Sequence, residues 1–464
     1  MKTLGGHLAC FVAALAVGAV AVDSSTAYID VGTTRGAGTH NASAFIYGMP
    51  LNYNPNQIPD HFYSDIDIRY GRAGGAQQEA PCRGWAFGEY ECRFNSTVVN
   101  YLQTRKFGAE FIILPHDIWG VDYKDSIDNY TFPGDGGDWS SYDAFLDQLI
   151  SDLKTHDVLP GLIWDVWNEP DISGFWSRSI QQWVDLYVRT HKRIREDAAL
   201  ERVLISGPTL ASSPDVANEY WNTWAPQVSS NSTFPDQYAW HYLNGGDSSD
   251  PDISDALFRA LLTTYSLPFR PVNINEYAAP AEETPSGYAW WISRLERYNY
   301  AGLLGLWNPP LYDNFANLLT KSPGSPQNTS NTDYVGAAGF PLYKYYASSM
   351  TGPRAKTTGS SNRQFDTFAT VGAKGDKVRI LAGSRVVTGN YTIQISGLTS
   401  VGYASSSTLN AEYYAFYGSD NIFDPYGDPP LLGTQSVAIV GGVAELNVYV
   451  PNKHTAWRIE FPRN

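Results

Sequence analysis

The sequence predicts a (β/α)8 TIM barrel with an accessory C-terminal β-sandwich. Eight short runs rich in Ile, Val, Phe, Tyr and Leu recur between residues 44 and 310, amphipathic stretches separate most of them, and helical periodicity stops near residue 350. Strands that alternate with helices form parallel sheets, and eight such units close into a barrel. A doubly wound open sheet is the alternative, but the GRAGG stretch at 71–75 is not followed by a helix pattern.

The barrel strands each begin apolar and end in polar, aromatic, Gly or Pro residues. In chain order they are predicted at 44–50, 67–75, 109–117, 160–170, 202–210, 237–243, 271–277 and 302–310. The clearest helix patterns lie at 141–156, 180–197, 254–266 and 286–298, whereas no convincing helix separates the first two strands. These elements predict a catalytic barrel over residues 42–350.

The chain after residue 350 changes character. Short alternating segments such as KVRILAG, YTIQISG and AELNVYV are separated by Gly, Ser, Asn and Pro. This pattern predicts an antiparallel β-sandwich over residues 351–464. The segment AYIDVG (27–32), which precedes the barrel, is a candidate further strand of that sandwich.

The N-terminus has the features of a signal peptide over residues 1–21. Lys2 precedes a short apolar run, and Ala19-Val20-Ala21 fits the small-x-small cleavage pattern. A membrane anchor is the alternative, but the run is short and has no charged flank after it, and no later stretch is apolar enough to span a bilayer. We therefore expect a secreted, extracellular protein without a membrane partner.

Cysteine and asparagine usage agrees with export. Removal of the signal peptide leaves Cys82 and Cys92, for which we expect a disulfide, with two free thiols as the alternative. Six Asn-x-Ser/Thr sequons predict a glycoprotein, at Asn41, Asn95, Asn129, Asn231, Asn328 and Asn390. The formal net charge of −15 makes nucleic acid an unsuitable partner.

Two glutamates end strands that face each other across the barrel. Strand four ends in Trp-Asn-Glu-Pro at 167–170 and strand seven in Asn-Glu-Tyr at 275–277, and TIM-barrel active sites lie at the carboxyl ends of the strands. Glycosidic-bond cleavage needs two carboxyl groups around one bond, about 5–5.5 Å apart in retaining enzymes. This placement predicts Glu169 and Glu276 as a retaining catalytic pair.

The surroundings of the two glutamates predict different protonation states. Glu169 follows the aromatic run IWDVW (163–167), where desolvation would raise its pKa and keep it protonated as a general acid. Glu276 must be ionised to attack a sugar carbon, and Arg69 or Arg72 at the end of strand two is the predicted cation beside it. We also expect Arg69 to bind substrate.

Other catalytic chemistries lack their sequence patterns. The chain contains no His-Glu-x-x-His, no paired Cys-x-x-Cys, no phosphate loop and no Gly-x-Ser-x-Gly, and its eight histidines lack metal-ligand spacing. We therefore expect neither a metal nor a cofactor.

The Trp-Asn-Glu-Pro end of strand four, together with a glutamate on strand seven, resembles clan A of the retaining (β/α)8 glycoside hydrolases. Within that clan, VWNEPD (166–171) and the added sandwich are most similar to glycoside hydrolase family 39, which includes β-xylosidases and α-L-iduronidases. The resemblance implies that Glu169 is the acid/base, that Glu276 is the nucleophile and that Asn168 contacts the substrate 2-hydroxyl. Tyr277 stands where the family usually has Trp.

Further substrate contacts are expected at the mouth of the barrel. The clan's pattern implies that His241 or Tyr242 touches the nucleophile and that Trp307 is a sugar platform. The remaining candidates end strands three and seven: His116, Asp117, Trp119 and Tyr277.

These observations predict a secreted retaining exo-glycosidase that acts on cell-wall or extracellular glycans. Long segments after strands two and three, 71–95 and 115–140, would wall off a pocket and favour cleavage of terminal sugars. A β-xyloside is the first expectation for the sugar, followed by a β-galactoside and an arabinoside. A uronic-acid enzyme that uses Arg69, Arg72 or Arg83, and a catalytically silent carbohydrate-binding barrel, remain as alternatives.

Overall fold

The structure, a computed structural model, describes residues 24–51, 58–122, 124, 130–305, 313–321 and 332–464. The predicted signal peptide, the predicted platform Trp307 and the sequons at Asn129 and Asn328 lie outside these residues. In the part of the chain that is described, no helix combines the length and the apolar character that crossing a bilayer requires.

Eight parallel strands close into a barrel, as the sequence predicts, and each coincides with part of a predicted segment. They follow a first strand, β1 (Thr26–Ala37), which lies outside the barrel. The barrel strands are β2 (Ala44–Ile46), β3 (Tyr70–Ala73), β4 (Glu110–Ile113), β5 (Leu162–Asp165), β6 (Leu204–Leu210), β7 (Gln237–Tyr242), β8 (Val272–Tyr277) and β9 (Ala301–Leu304). The pairing of Phe45 with Leu304 joins the last strand to the first.

Helices surround the barrel. They are α1 (Asp60–Asp65), α2 (Tyr90–Lys106), α3 (Pro115–Trp119), α4 (Ser140–Thr155), α5 (Ile180–Arg195), α6 (Glu219–Asn231), α7 (Pro251–Thr264), α8 (Pro285–Tyr298) and α9 (Phe340–Ser348). The four clearest sequence patterns correspond to α4, α5, α7 and α8. Side chains of Ser179, Asn218, Asp250 and Thr284 accept backbone N–H groups at the starts of α5 to α8, which satisfies donors that a helix start leaves unpaired.

The C-terminal region, together with β1, forms a separate, mostly antiparallel sheet of nine strands. Its other strands are β12 (Pro353–Thr358), β13 (Phe365–Val371), β14 (Lys377–Ser384), β15 (Gly389–Ser396), β16 (Ser407–Phe416), β17 (Leu431–Ile439), β18 (Ala444–Val450) and β19 (Ala456–Pro462). A small hairpin of β10 (Leu319–Lys321) and β11 (Tyr334–Gly336) precedes them.

The nine strands curl around a core of their own. Their order is β17-β16-β19-β14-β13-β12-β1-β15-β18, and all pairs are antiparallel except β1 with β15. Ile29, Phe365, Ile380, Ile393 and Leu446 are among the buried residues of this second core. The two edge strands, β17 and β18, come within 8 Å of each other between Cα atoms, so the sheet nearly closes on itself.

Helix α8 joins the barrel to the sheet. It is buried along nearly its whole length because the barrel covers one side and strands β13, β14 and β19 cover the other. A Cβ atom at Gly383 would lie 2.2 Å from the Ser286 carbonyl oxygen, so only glycine allows β14 to approach the helix this closely. Arg294 and Arg297 of α8 both pair with Asp366 of β13.

The predicted disulfide is present. Cys82 and Cys92 are bonded, with Cα atoms 5.1 Å apart, and they tie the segment after β3 to the start of α2. Of the sequon asparagines that are described, Asn95, Asn231 and Asn390 are exposed and Asn41 is half-buried.

Candidate active site

Glu169 and Glu276 meet at the carboxyl end of the barrel. Glu169 follows β5 in a left-handed backbone conformation (φ 41°), and its N–H donates to the carbonyl oxygen of Thr209 at 2.9 Å. Glu276 lies near the end of β8, and His241 lies on the neighbouring β7. One side-chain atom from each of these three residues lies within 4.8 Å of the other two.

Arg72, on β3, is the cation beside Glu276. Its guanidinium is fully buried and donates to Glu276 at 2.5 Å. Burial raises the pKa of the Glu276 carboxyl, and His241 and Arg72 both act against that rise. Because the guanidinium remains charged at all relevant pH values, the direct pairing favours the ionised carboxylate that a nucleophile requires.

Glu169 lacks the direct hydrogen bond to Arg72 that Glu276 has. Burial, with a further contribution from Asp171, raises the pKa of its carboxyl to about 7, although Arg72 acts against the rise. This carboxyl therefore keeps its proton at pH values where an exposed glutamate has lost it. The pair thus contains one carboxyl suited to donate a proton and one suited to attack.

The His241 ring lies between the two carboxyls. Its Nδ1 is 2.8 Å from Glu169, and its Nε2 is 3.7 Å from Glu276. Burial lowers the pKa of the imidazole, which favours the neutral ring. A neutral ring that accepts the Glu169 proton at Nδ1 carries its own proton on Nε2, toward the Glu276 carboxylate.

Asp165 is a site residue that the sequence analysis did not identify. It is completely buried in the barrel and accepts from Arg72 at 2.9 and 3.2 Å, from Thr209 at 2.7 Å and from Asn275 at 3.0 Å. This network holds the guanidinium in the orientation that reaches Glu276. The sequence feature that could have identified Asp165 is a carboxylate within an otherwise apolar strand, Leu-Ile-Trp-Asp.

Asn168 lies next to the pair. Its side-chain oxygen accepts from Arg72 at 2.6 Å, so the same guanidinium contacts Asp165, Glu276 and Asn168. With the oxygen engaged, the amide group presents N–H donors for a ligand hydroxyl.

His116 and Asp117 form a buried pair at the end of β4. His116 Nε2 is 3.0 Å from Asp117, and its ring contacts Trp167, which precedes Asn168 and Glu169. Tyr47 donates its hydroxyl to Asp117, and burial raises the pKa of that carboxyl to about 7. The pair therefore braces the wall of the mouth beside Asn168.

Three predicted contacts face away from the site. Tyr242 bonds Ser254 and stacks on Trp291, Tyr277 donates to the carbonyl oxygen of Ala42 at 2.9 Å, and Trp119 packs against helix α4. Tyr242 and Tyr277 directly follow His241 and Glu276, and successive side chains of a strand point to opposite faces. His241 and Glu276 therefore point to the site, and the tyrosines that follow them pack on the opposite face of the strands.

The expectation that Arg69 lies at the mouth is wrong. Arg69 precedes β3, pairs with Asp67 at 2.8 Å and is partly exposed at the amino end of the barrel. Arg72, three residues later, reaches the carboxyl end instead. A three-residue advance along a strand covers about 10 Å, which separates the two ends of so short a strand.

The Glu169–His241–Glu276 group also has the ligand types of a metal site. The Arg72 guanidinium, however, is already in contact with Glu276 and would repel a cation. The arrangement suits a carboxyl pair that acts on a neutral substrate better than it suits a metal.

No protein-family model and no curated protein matches the chain. Its fold is shared with solved structures. That of N2152 from Neocallimastix frontalis has a TM-score of 0.72 at 20% identity over 95% of this chain and 100% of that one. A glucosidase from Croceicoccus marinus has a TM-score of 0.58 at 14% identity over 95% of this chain and 99% of that one. The GH39 enzyme from Xanthomonas axonopodis pv. citri has a TM-score of 0.55 at 12% identity over 95% of this chain and 97% of that one.

These similarities establish the architecture, a TIM barrel with an added sheet, over nearly the whole chain. Enzymes of glycoside hydrolase families 30 and 44 are similar as well, at 13% and 12% identity. At this level of identity the chain shares the fold of these enzymes, and family 39 is not distinguished from families 30 and 44.

Proposed function

We propose that this protein is a secreted retaining exo-glycosidase. The observation that carries the proposal is the Glu169–Glu276 pair, whose carboxyl oxygens approach within 4.8 Å and of which Glu276, but not Glu169, accepts a hydrogen bond from Arg72. That separation suits a retaining enzyme, because inverting enzymes leave about 6.5–9.5 Å for a water molecule between their carboxyls.

The reaction follows from the two roles. Glu276 attacks the anomeric carbon while Glu169 donates its proton to the departing glycosidic oxygen, which gives a glycosyl–enzyme ester. Glu169, now a carboxylate, removes a proton from water as that water attacks the ester, and Glu276 is released. Arg72 stabilises the Glu276 carboxylate before attack and after release.

Product stereochemistry tests this mechanism. Proton NMR of an aryl glycoside during turnover should show first the sugar anomer that has the configuration of the substrate, before mutarotation. Appearance of the opposite anomer would exclude the double displacement and the assignment of Glu276 as nucleophile.

A neutral sugar is the substrate class that the charged residues favour, and a β-xyloside is our first proposal within that class. A uronic acid requires a cation at the mouth, but Arg72 is engaged with Glu276 and Asp165, Arg83 pairs with Glu89 at 2.5 Å, and Arg69 lies at the other end of the barrel. The segment 306–312 after β9 contains neither Lys nor Arg. A panel of aryl glycosides should show highest kcat/KM with a neutral sugar, and preference for a uronide would contradict this.

The exo preference rests on the segment after β3. Its Cys82–Cys92 bridge stiffens one wall of the mouth, and a walled pocket admits chain ends rather than chain interiors. Incubation with a polymeric glycan should release monosaccharide or short terminal units first. Early appearance of long oligosaccharides would instead indicate an open cleft.

Export is supported by the signal-like N-terminus, the disulfide and the exposed sequons at Asn95, Asn231 and Asn390. N-terminal sequencing of protein from the culture medium should begin after Ala21. Retention of the protein inside the cells with an intact N-terminus would contradict secretion.

A further inference from the structure

A groove separates the two edges of the nine-stranded sheet. It lies between β17 and β18 and has a volume of about 530 Å³, within the ~300–1,000 Å³ typical of small-ligand sites. The residues that shape it are Tyr413, Leu432, Gln435, Asn447, Tyr449 and Trp457. None of them belongs to the barrel, so the groove is separate from the carboxyl pair.

Local irregularities of the sheet form the groove. In the pairing of β16 with β17, Tyr413 faces Gly433 and Tyr414 faces Leu431, so Leu432 is an extra, bulged residue. A bulge re-aims a side chain, and here it contributes Leu432 to the groove lining.

The aromatic part of the lining is held in place. The Trp457 indole N–H donates to the carbonyl oxygen of Tyr449 at 3.1 Å, and its ring meets the buried Tyr413 ring edge-on at 6.3 Å between centroids. Trp457 is therefore positioned by β18 on one side and by β16 on the other. A pre-positioned indole loses little conformational entropy when a ligand stacks on it.

Two large apolar residues of the groove are exposed. Tyr449 is 56% exposed and Leu432 is 50% exposed, although a burial pattern that alternates along β18 places its other apolar residues in the core. Leaving this surface in water costs free energy that a ligand with an apolar face would recover.

The polar part of the lining identifies the ligand class. None of the ten lining residues carries a charge at neutral pH, in a chain whose net charge is −15, and the polar groups are the amides of Gln435 and Asn447 and the hydroxyls of Thr434 and the tyrosines. A phosphate or an acidic or basic peptide would find no counter-charge. Amides and hydroxyls around flat aromatic faces match the hydroxyls and C–H faces of an uncharged sugar.

We propose that the groove between β17 and β18 binds a segment of a neutral glycan chain and so holds the protein on its polymeric surroundings. The sugar ring stacks on the aromatic surface of Tyr449 and Trp457, and the amides of Gln435 and Asn447 bond its hydroxyls. This binding is independent of catalysis in the barrel.

Affinity gel electrophoresis of the full-length protein tests the proposal, with xylan, xyloglucan, mixed-linkage β-glucan and arabinogalactan as the gel glycans. A Glu276→Gln background prevents digestion of the gel. At least one neutral glycan should retard this protein. Adding Tyr449→Ala should raise the dissociation constant for that glycan at least tenfold. Tyr449→Ala alone should leave kcat/KM on a small aryl glycoside unchanged, because no residue of the groove lining belongs to the barrel.

Tyr417→Ala is the matched control, since Tyr417 is 44% exposed and does not line the groove. It should bind as the parent does. Asn447→Ala, which removes an amide from an exposed position, should also weaken binding.

The proposal is overturned if no neutral glycan retards the protein, if only anionic glycans do, or if Tyr449→Ala binds as tightly as Tyr417→Ala. It is equally overturned if size-exclusion chromatography shows that Tyr449→Ala converts a dimer to a monomer, because the groove would then be occupied by a second copy of the chain.

Discussion

One arginine determines the chemistry at the scale of single residues. Arg72 contacts Asp165, Asn168 and Glu276 through one rigid guanidinium. Its contact with Glu276 acts against the burial that raises the pKa of that carboxyl, and it orients Asn168. Glu169, which Arg72 does not directly contact, has its pKa raised to about 7 by burial. Separate roles for two chemically identical side chains follow from which of them the arginine touches.

Substitution of the two glutamates should separate their roles. Glu276→Gln should abolish turnover of all substrates because the nucleophile is lost. Glu169→Ala should lose roughly 10²–10⁴-fold on substrates with poor leaving groups and little on dinitrophenyl glycosides, which need no proton donor. Steady-state kinetics on both classes measures this, and an equal loss on the two classes by Glu169→Ala would contradict the assignment.

The activity should decline on the alkaline side of neutrality. The pKa of Glu169 is raised to about 7 in the free protein, so the proton needed for leaving-group departure is lost as pH rises through that value. We expect kcat/KM to fall tenfold per pH unit above it. The Glu169→Ala variant on a dinitrophenyl glycoside should lack this limb, and its persistence there would assign the limb to another group.

The same carboxyl should lower the stability of the protein. Because its pKa is higher in the folded state than in the unfolded chain, folding stability falls as pH rises from about 4.5 through 7. Glu169→Gln removes this penalty and should stabilise the protein by roughly 3 kcal/mol at pH 8 and by little at pH 4. Chemical denaturation at both pH values measures the difference. Glu201→Gln, at an exposed position, is the control, and a pH-independent effect of Glu169→Gln would contradict the linkage.

At the scale of elements, the sequence predicted those whose buried face is apolar. Helices α4, α5 and α7 have such faces and were found, and α8 was found although it also buries Arg294 and Glu296. Helix α2 has a less clear pattern, because its buried face includes the polar side chains of Arg93, Asn100 and Thr104. The pattern of helix α6 is also less clear, because it contains Pro226 and proline usually interrupts a helix.

Part of the candidate site was predictable from the order of the strands. Glu169 and Glu276 are located by strand order, which the alternation of strands and helices reveals. The side to which a neighbouring residue points depends on where a strand begins, and those boundaries were uncertain by a few residues. Tyr242, Tyr277 and Arg69 were misplaced for that reason, and Asp165 was overlooked because it lies within a strand rather than at its end.

The disulfide should be the main brace of the loop before α2. A bridge across a separation of ten residues contributes about 2–3 kcal/mol by restricting the unfolded chain. Cys82→Ser/Cys92→Ser should lose that much stability in chemical denaturation. Reduction of the wild-type protein should reproduce the loss and leave the double variant unchanged, and a further shift of the variant on reduction would show another cause.

At the scale of the whole molecule, the barrel and the sheet depend on each other. Asp366 of β13 is fully buried and pairs with both Arg294 and Arg297 of α8. Asp366→Ala removes one of the carboxylates that pair with these guanidinium groups, which retain Asp250 and Asp252, and should destabilise the protein by about 3 kcal/mol.

Asp376→Ala is the matched control for this interface. Asp376 pairs with Arg379 at a partly exposed position, where an ion pair contributes at most about 1 kcal/mol. Thermal unfolding of the two variants should therefore differ clearly. Equal midpoints would mean that α8 does not couple the two parts of the molecule.

The position of β1 in the sheet delays its pairing during synthesis. This strand pairs with β12 and β15, yet the whole barrel lies between it and β12 in the chain, a separation of roughly 300 residues. At translation rates of ~5–20 residues per second, β1 is complete some 15–60 s before its first partner exists. Only its first half, Thr26–Val31, is buried in the finished sheet, and the rest is exposed. A nascent chain thus carries the segment Thr26–Val31, whose Ala27, Ile29 and Val31 are later buried, without its sheet partners while the barrel is synthesised.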